Sequence, residues 1–161
     1  MLHMKSILDQ LAEPDNVNIS IPEFFNFGFD VVDTWAAEDD MTAFVSVNRT
    51  ATAIEYRSFS ELSQASNRFA NALRTLGAEK GARAIVILPR IPAWYEVVIG
   101  CIKAGVVAMP GTNLLTAKDI EYRINHSGAS LAIVSSEHTS KIESIRARCP
   151  SLRHLVLVGD K

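Results

Sequence analysis

Several scarcities in this sequence each exclude a class of protein. Only two cysteines, Cys101 and Cys149, occur in 161 residues. They stand far apart and form no Cys-x-x-Cys spacing, so a reduced, cytosolic setting is expected. No apolar run approaches the ~20 residues needed to cross a bilayer. The N-terminus carries Lys5, Asp9 and Glu13, lacks a continuous apolar stretch before a cleavage site, and is not Arg-rich as a mitochondrial leader would be. The expectation is a soluble, cytoplasmic protein. Positive charge is not in excess either: 16 Lys and Arg face 18 Asp and Glu, a net charge of −2. With no basic cluster, nucleic acid is excluded as the main partner.

Motifs of common chemistry are missing too. The eight glycines include no G-x-G-x-x-G after a strand and no G-x-x-x-x-G-K-[ST]. Gly100 and Gly105 have the nearest spacing, but Val106 and Val107 follow, so they read as a helix-packing glycine and a helix C-cap. The histidines at 3, 126, 138 and 154 show neither H-E-x-x-H nor a cysteine pairing, so no metal site is expected. His126 reads as a partner of a helix C-terminus and His138 as a solvated residue near a helix start. There is no G-x-S-x-G elbow, and no pair of carboxylates converges. Cys101, among Val98, Ile102 and Ala104, reads as a buried inert thiol.

What is present is an ordinary globular mix, 48% apolar and 21% charged. A domain of ~150 residues buries roughly 68–70% of its unfolded surface, enough for one good core. Residues 1–40 are the least regular. Ile7, Leu8 and Leu11 suit a short helical stripe that Pro14, Asn16, Asn18 and Pro22 interrupt. From Asn26, a suitable N-cap, Phe29 to Ala36 reads as an amphipathic helix, with Phe29, Val32 and Trp35 or Ala36 inward and Asp30 and Asp33 in water. Residues 41–83 follow as a hairpin and a long helix. Thr42–Asn48 and Thr52–Tyr56 are strand-like, and Ala43, Val45 and Val47 alternate as one half-buried face. Ser58 and Glu61 form a capping box. Leu62, Ala65, Phe69, Ala72, Leu73 and Leu76 then recur at helical spacing up to Gly77.

Residues 84–161 form the last unit. Ala84–Leu88 reads as a strand buried on both faces. Pro92 opens a helix that Gly105 closes, and Val106–Met109 is a short buried strand. Thr116 with Asp119 caps a helix ending at Gly128. Leu131–Val134, a helix over Glu137–Arg148 and a strand over Leu155–Val158 complete the pattern. Four apolar strands separated by three helices make successive right-handed βαβ units. The expected fold class is α/β, a parallel sheet with helices on both faces, preceded by a helix and a β-hairpin.

Ligands of open parallel sheets bind beyond the carboxyl ends of the strands. Here those ends are residues 88–92, 109–113 and 134–138. Pro110 and Gly111 turn the chain sharply, and Gly111 allows close approach of a ligand or another segment, although a simple strand-to-helix connection explains them equally. Arg90, Arg123 and Lys141 suit an anionic ligand, but singly each is most often a solvated charge.

Four stretches carry a resemblance. Tyr56 to Leu62 followed by Asn67 to Leu73 resembles the first core motif of the adenylate-forming enzymes and the helix after it. Cys101 to Pro110 is similar to their second core motif, the Lys-Ala-Gly…Pro segment. Phe25 to Ala36 and Pro110 to Ile124 resemble the medium-chain acyl-CoA synthetase branch, and the likeness runs from about Phe24 to the last residue. It implies an ATP-dependent acid–thiol ligase. A carboxylate and ATP give an acyl-adenylate and pyrophosphate, and the CoA thiol then displaces AMP. ATP, Mg²⁺, CoA and a carboxylic acid, medium-chain and fatty, are the implied cofactors and substrates.

The family's phosphate-binding loop, adenine motifs and C-terminal domain with its lysine have no counterpart before Lys161. The resemblance therefore implies a piece of the enzyme that is inactive alone, without catalytic residues of its own. Ser58, Glu61, Leu62, Ala104, Gly105 and Pro110 read as structural. Gly111, Thr112 and Asn113 are implied to border the path of the CoA pantetheine arm, and Lys141 to meet a CoA phosphate. Two rivals remain at this point: a short binding or regulatory module without catalysis, and a nucleotide-dependent oxidoreductase or flavodoxin-like domain. The remainder of a parent chain is the implied partner, and faces that meet it would favour self-association of the isolated piece.

Overall fold

A computed structural model describes residues 22–38, 41–48 and 50–159. The expected stripe of Ile7, Leu8 and Leu11 and its interruption at Pro14, Asn16 and Asn18 lie outside them. Chain order begins with α1, a π-helical turn Gly28–Asp33 running into Thr34–Ala36. An antiparallel hairpin of β1 (Thr42–Val47) and β2 (Ile54–Ser58) follows. Next come α2 (Phe59–Thr75), β3 (Arg83–Ile87), α3 (Pro92–Ala104), β4 (Val107–Pro110) and α4 (Ala117–Ser127). The chain continues with β5 (Leu131–Ser135), α5 (Thr139–Ile145) and β6 (His154–Val158).

The local signals act as the residue types dictate. The Ser58 hydroxyl accepts from the Glu61 amide at 3.1 Å while the Glu61 carboxylate accepts from the Ser58 amide at 2.9 Å, so two orphan donors of the first turn are satisfied. Thr116 and Asp119 repeat the device on α4. Pro92 stands in the first turn of α3, and Gly105 and Gly128 close α3 and α4 with φ of 71° and 67°, which glycine adopts without a Cβ clash.

The four parallel strands stand in the order β4-β3-β5-β6. One core cluster joins Leu73 of α2 and Val97 and Cys101 of α3 to Val86 and Ile133. The other joins Ile120 and Ile124 of α4 and Ile142 and Ile145 of α5 to Ile85, Ile87 and Val134. Helices thus cover both faces, as the continuous apolar strands require. The connection from β4 to β5 crosses back over β3, so the crevice of strand reversal opens at the carboxyl ends of β3 and β5.

Several expectations need correction. β4 is an edge strand, and Val107 is 48% exposed, so it is not fully buried. The hairpin forms, but a bulge between Thr42 and Phe44 shifts its parity. Ala43 and Phe44 therefore both cover the cluster of Val32, Leu62 and Ile99, and Val45 and Val47 face outward. In α2, Ala72 and Leu76 are exposed, and Ser63, Ser66 and Ala70 take buried positions instead, because α3 packs along that flank. The helix over Glu137–Arg148 is broken: 3₁₀ turns Ser136–His138 and Arg146–Arg148 flank α5. In α1, Val32 is buried but Phe29 is exposed, and Asp33 is turned inward, since a π turn is wider and rotates later side chains away from their α-helical phase.

Candidate functional site

The carboxyl ends of β4 and β5 bring together the residues that the sequence singles out for a ligand path. Beyond β4 the chain turns at Pro110 and Gly111. The Gly111 amide donates to the Val86 carbonyl at 2.8 Å, and a Cβ there would lie 2.7 Å from Leu115 Cδ1. The close approach that glycine permits is thus made by the loop's own Leu115. Thr112 organises the tight loop, its carbonyl accepting from the Leu115 amide at 3.2 Å and its hydroxyl from the Leu114 amide at 3.3 Å. Leu114, at the tip, is 86% exposed. Asn113 keeps a buried Oδ1 with no hydrogen-bond partner, a group that ordinarily finds one.

Lys141 stands in the first turn of α5, and its Nζ donates to the Leu115 carbonyl at 2.9 Å. The two loops are therefore joined, and one of the three ammonium donors is used. Arg90 is exposed just beyond β3. Arg123 lies in the second half of α4, which runs against the strands, so the fold carries it toward the opposite end of the sheet. Among the described residues, no group of three or more His, Cys, Asp or Glu could hold a metal ion. Two shallow depressions flank α4, lined by Tyr122, His126 and Lys118 among others. They include none of Gly111, Thr112, Asn113 or Lys141.

Ser58 and Glu61 cap α2, Leu62 is buried beneath the hairpin, Ala104 and Gly105 end α3, and Pro110 ends β4. Cys101 is fully buried, and burial pushes its thiol pKa up to about 12, which suppresses the thiolate. Burial also raises the Cys149 thiol, and both cysteines are free. His126 is exposed and its ring stacks on Tyr122 at 5.4 Å.

Two residues escaped the sequence reading. His138 is not solvated: it is 3% exposed, and neither ring nitrogen has a hydrogen-bond partner. Burial first, and Lys141 second, hold its pKa below the ordinary value, with Glu137 opposing. The signal was its spacing to Ile142 and Ile145, four and seven residues on, which places it on their face of the helix. Lys103, in the second core motif, is also 3% exposed. Its Nζ donates to Asp33 Oδ1 at 2.5 Å and Asn67 Oδ1 at 2.9 Å. Ser63 Oγ donates to the same Asp33 oxygen at 2.6 Å. A Cβ at Gly28 would overlap the Lys103 stem, so glycine lets α1 settle there. The signal was the apolar surround of α3, in which a lysine has to be buried and paired.

Residues 32–161 match the model of the family described as AMP-binding enzyme. The chain is 38% identical over 147 residues to human acyl-coenzyme A synthetase ACSM5, mitochondrial, covering 87% of this chain and 25% of that protein. Human acyl-coenzyme A synthetase ACSM4, mitochondrial, is 40% identical over 151 residues, covering 89% and 26%. The chain thus spans about a quarter of the length of these relatives. In fold it is similar to the anthranilate CoA ligase AuaEII in complex with anthranoyl-AMP, with a TM-score of 0.73 at 24% identity, covering 86% of this chain and 26% of that one. A Mycobacterium tuberculosis fatty acyl CoA synthetase gives a TM-score of 0.71 at 21% identity, covering 83% and 26%.

Proposed function

The chain belongs to the AMP-binding enzyme family, and from that premise we propose that it is part of an ATP-dependent acid–thiol ligase acting on medium-chain fatty acids. The observation that carries this reading is 35–40% identity to acyl-coenzyme A synthetases along most of the chain. In the proposed reaction a carboxylate oxygen attacks the α-phosphorus of ATP and pyrophosphate leaves. The CoA sulfur then attacks the acyl carbonyl, and AMP departs. A carboxylate oxygen is a poor leaving group and AMP a good one, which is why the adenylate comes first.

Within that enzyme this stretch is a structural lobe, divided as an irregular lead over 1–40, a hairpin and long helix over 41–83, and the βαβ core over 84–161. Phosphate loop, adenine site and C-terminal domain belong to other parts of the parent. No catalytic step is proposed to run through this stretch. CoA is proposed to pass Gly111, Thr112 and Asn113, where the unpaired Asn113 Oδ1 suits an amide N–H. Lys141 keeps ammonium donors for a phosphate. In isolation the lobe self-associates through the apolar face of Val45, Val47, Ile54 and Tyr56.

Among the described residues, no helix is long and apolar enough to cross a membrane. The relatives carry "mitochondrial" in their names, against the cytoplasmic setting expected from the sequence; fractionating cells that express the tagged parent decides between the two. The activity test compares the parent with residues 1–161 alone, each given ATP, Mg²⁺, octanoate and CoA. Octanoyl-CoA from the parent alone is expected. Thioester from the 161-residue chain would overturn its structural role, and none from either, across acids of varied length, would overturn the ligase.

A further inference from the structure

The turn after β5 holds a side chain that the proposed reaction does not use. His138 is almost wholly buried with both ring nitrogens unpaired. The charged groups acting on it are Glu137 and Lys141. The Glu137 carboxylate lies 3.4 Å from Nε2 without making a hydrogen bond, and its own side chain is 59% exposed. Lys141 is tied elsewhere, its Nζ on the Leu115 carbonyl. The lysine that clasps the loop after β4 is thus also one whose charge acts on the buried imidazole.

We propose that His138 and Lys141 form an acid-sensitive clasp between the loop of residues 111–116 and the first turn of α5. With a neutral imidazole the clasp is closed. Proton uptake from solvent adds a second cation to a buried site already under the Lys141 charge, where the Glu137 carboxylate, 3.4 Å from Nε2, is not aligned to accept a hydrogen bond from the ring. Relief lies in turning the ring outward toward Glu137. His138 ends the three-residue 3₁₀ turn Ser136–His138, so that rotation shifts the first turn of α5 and draws Lys141 off Leu115. Burial and Lys141 lower the imidazole pKa from 6.5 in the closed form. The open form then binds the proton more tightly, so closure is complete above about 6.5 and is lost as pH falls below it. The result is a pH-gated loop at the carboxyl end of the sheet, and it stands whether or not the chain serves a ligase.

The test follows amide hydrogen exchange by NMR on the 161-residue chain at about pH 7.5 and about pH 5.5, with intrinsic rates normalised. Protection at residues 111–116 and 139–142 is expected to fall several-fold at the lower pH. The fall should track titration of the His138 ring, while β3 and α2 stay protected. His138→Gln should abolish the step and keep the loop protected. Lys141→Met should leave the loop open at both pH values and raise the His138 pKa, an arm that decides even where the glutamine variant does not fold. The proposal is overturned by His138 titrating at or above its ordinary value, by a step that survives in H138Q, or by a loop that stays protected in K141M.

Discussion

The inner strands of the parallel sheet and the first strand of the hairpin are all mostly apolar in sequence, yet they end in opposite environments. Ala84 to Ile87 of β3 and Ala132 to Val134 of β5 are 0% exposed. In the hairpin, Val45, Val47, Ile54 and Tyr56 are 47%, 53%, 59% and 66% exposed. The pairs Val45–Tyr56 and Val47–Ile54 lie directly across the ladder, so these four make one continuous face. What differs is the layering. β3 and β5 have helices above and below, whereas the hairpin is packed on one side only, through Ala43 and Phe44, with Phe44 stacked on Tyr95 at 4.7 Å. Composition says that a strand tolerates burial. Topology decides whether it is buried.

The comparison breaks most forcefully at Ile133. Its side chain is fully enclosed between Val86, Leu131 and the α2–α3 layer. Ile133→Ala removes three carbons where close packing limits collapse, and a loss of about 3–5 kcal/mol is expected. Urea denaturation with an unchanged m-value measures it. A loss below about 1 kcal/mol would mean that the sheet interior relaxes as freely as the hairpin.

That contrast also explains how much of the molecule was legible. In the sheet region, signals are local and concordant: Thr116 and Asp119 three apart, Gly105 and Gly128 closing helices, continuous apolar strands. Each acts within one turn or one strand, so the elements could be read residue by residue. The hairpin was found as an element but misjudged in facing, because a single bulged residue reverses which side chains turn inward. α1 was misjudged for a different reason. Asp33 looks solvated on a helical wheel, and only the packing of α3, 70 residues on, reveals Lys103 as its partner. Of the candidate site, the loop after β4 and Lys141 were legible as two places, but the bond joining them was not. His138 was misread because its spacing to Ile142 and Ile145, which puts it on their buried face, was not weighed against its polarity.

The polar network is the next place to sharpen the comparison, because it holds the lead onto the lobe by charge where the sheet is held by packing. Asp33 is 32% exposed on its side chain and Lys103 only 1%, so removing either partner is not equivalent. Asp33→Asn leaves a buried ammonium without its counter-ion and is expected to cost about 2–3 kcal/mol, less than a fully buried pair because water reaches the carboxylate side. Lys103→Met leaves a carboxylate that water can solvate and is expected to cost about 1 kcal/mol. Denaturation midpoints, with hydrogen exchange in α1, check both. Equal losses would show that the exposed and the buried partner are equivalent, and a stability unchanged in both variants that α1 is held by its apolar contacts.

The smallest effect is expected on the hairpin's outer face, and it discriminates most finely. Val47→Thr keeps the β-branched shape that suits a strand and exchanges one methyl for a hydroxyl. The residue is more than half exposed opposite a similarly exposed Ile54, so the new hydroxyl stays in water and the only loss is a little cross-strand apolar contact. A change within about 0.5 kcal/mol follows, as at other surface sites. The same substitution should weaken self-association, since it interrupts the apolar face at its turn-side pair. A penalty above about 1 kcal/mol in dilute, monomeric protein would mean that Val47 is desolvated in the folded chain, because an exposed hydroxyl carries no such cost. The difference between the two regions would then be one of what covers each face, not of whether it is covered.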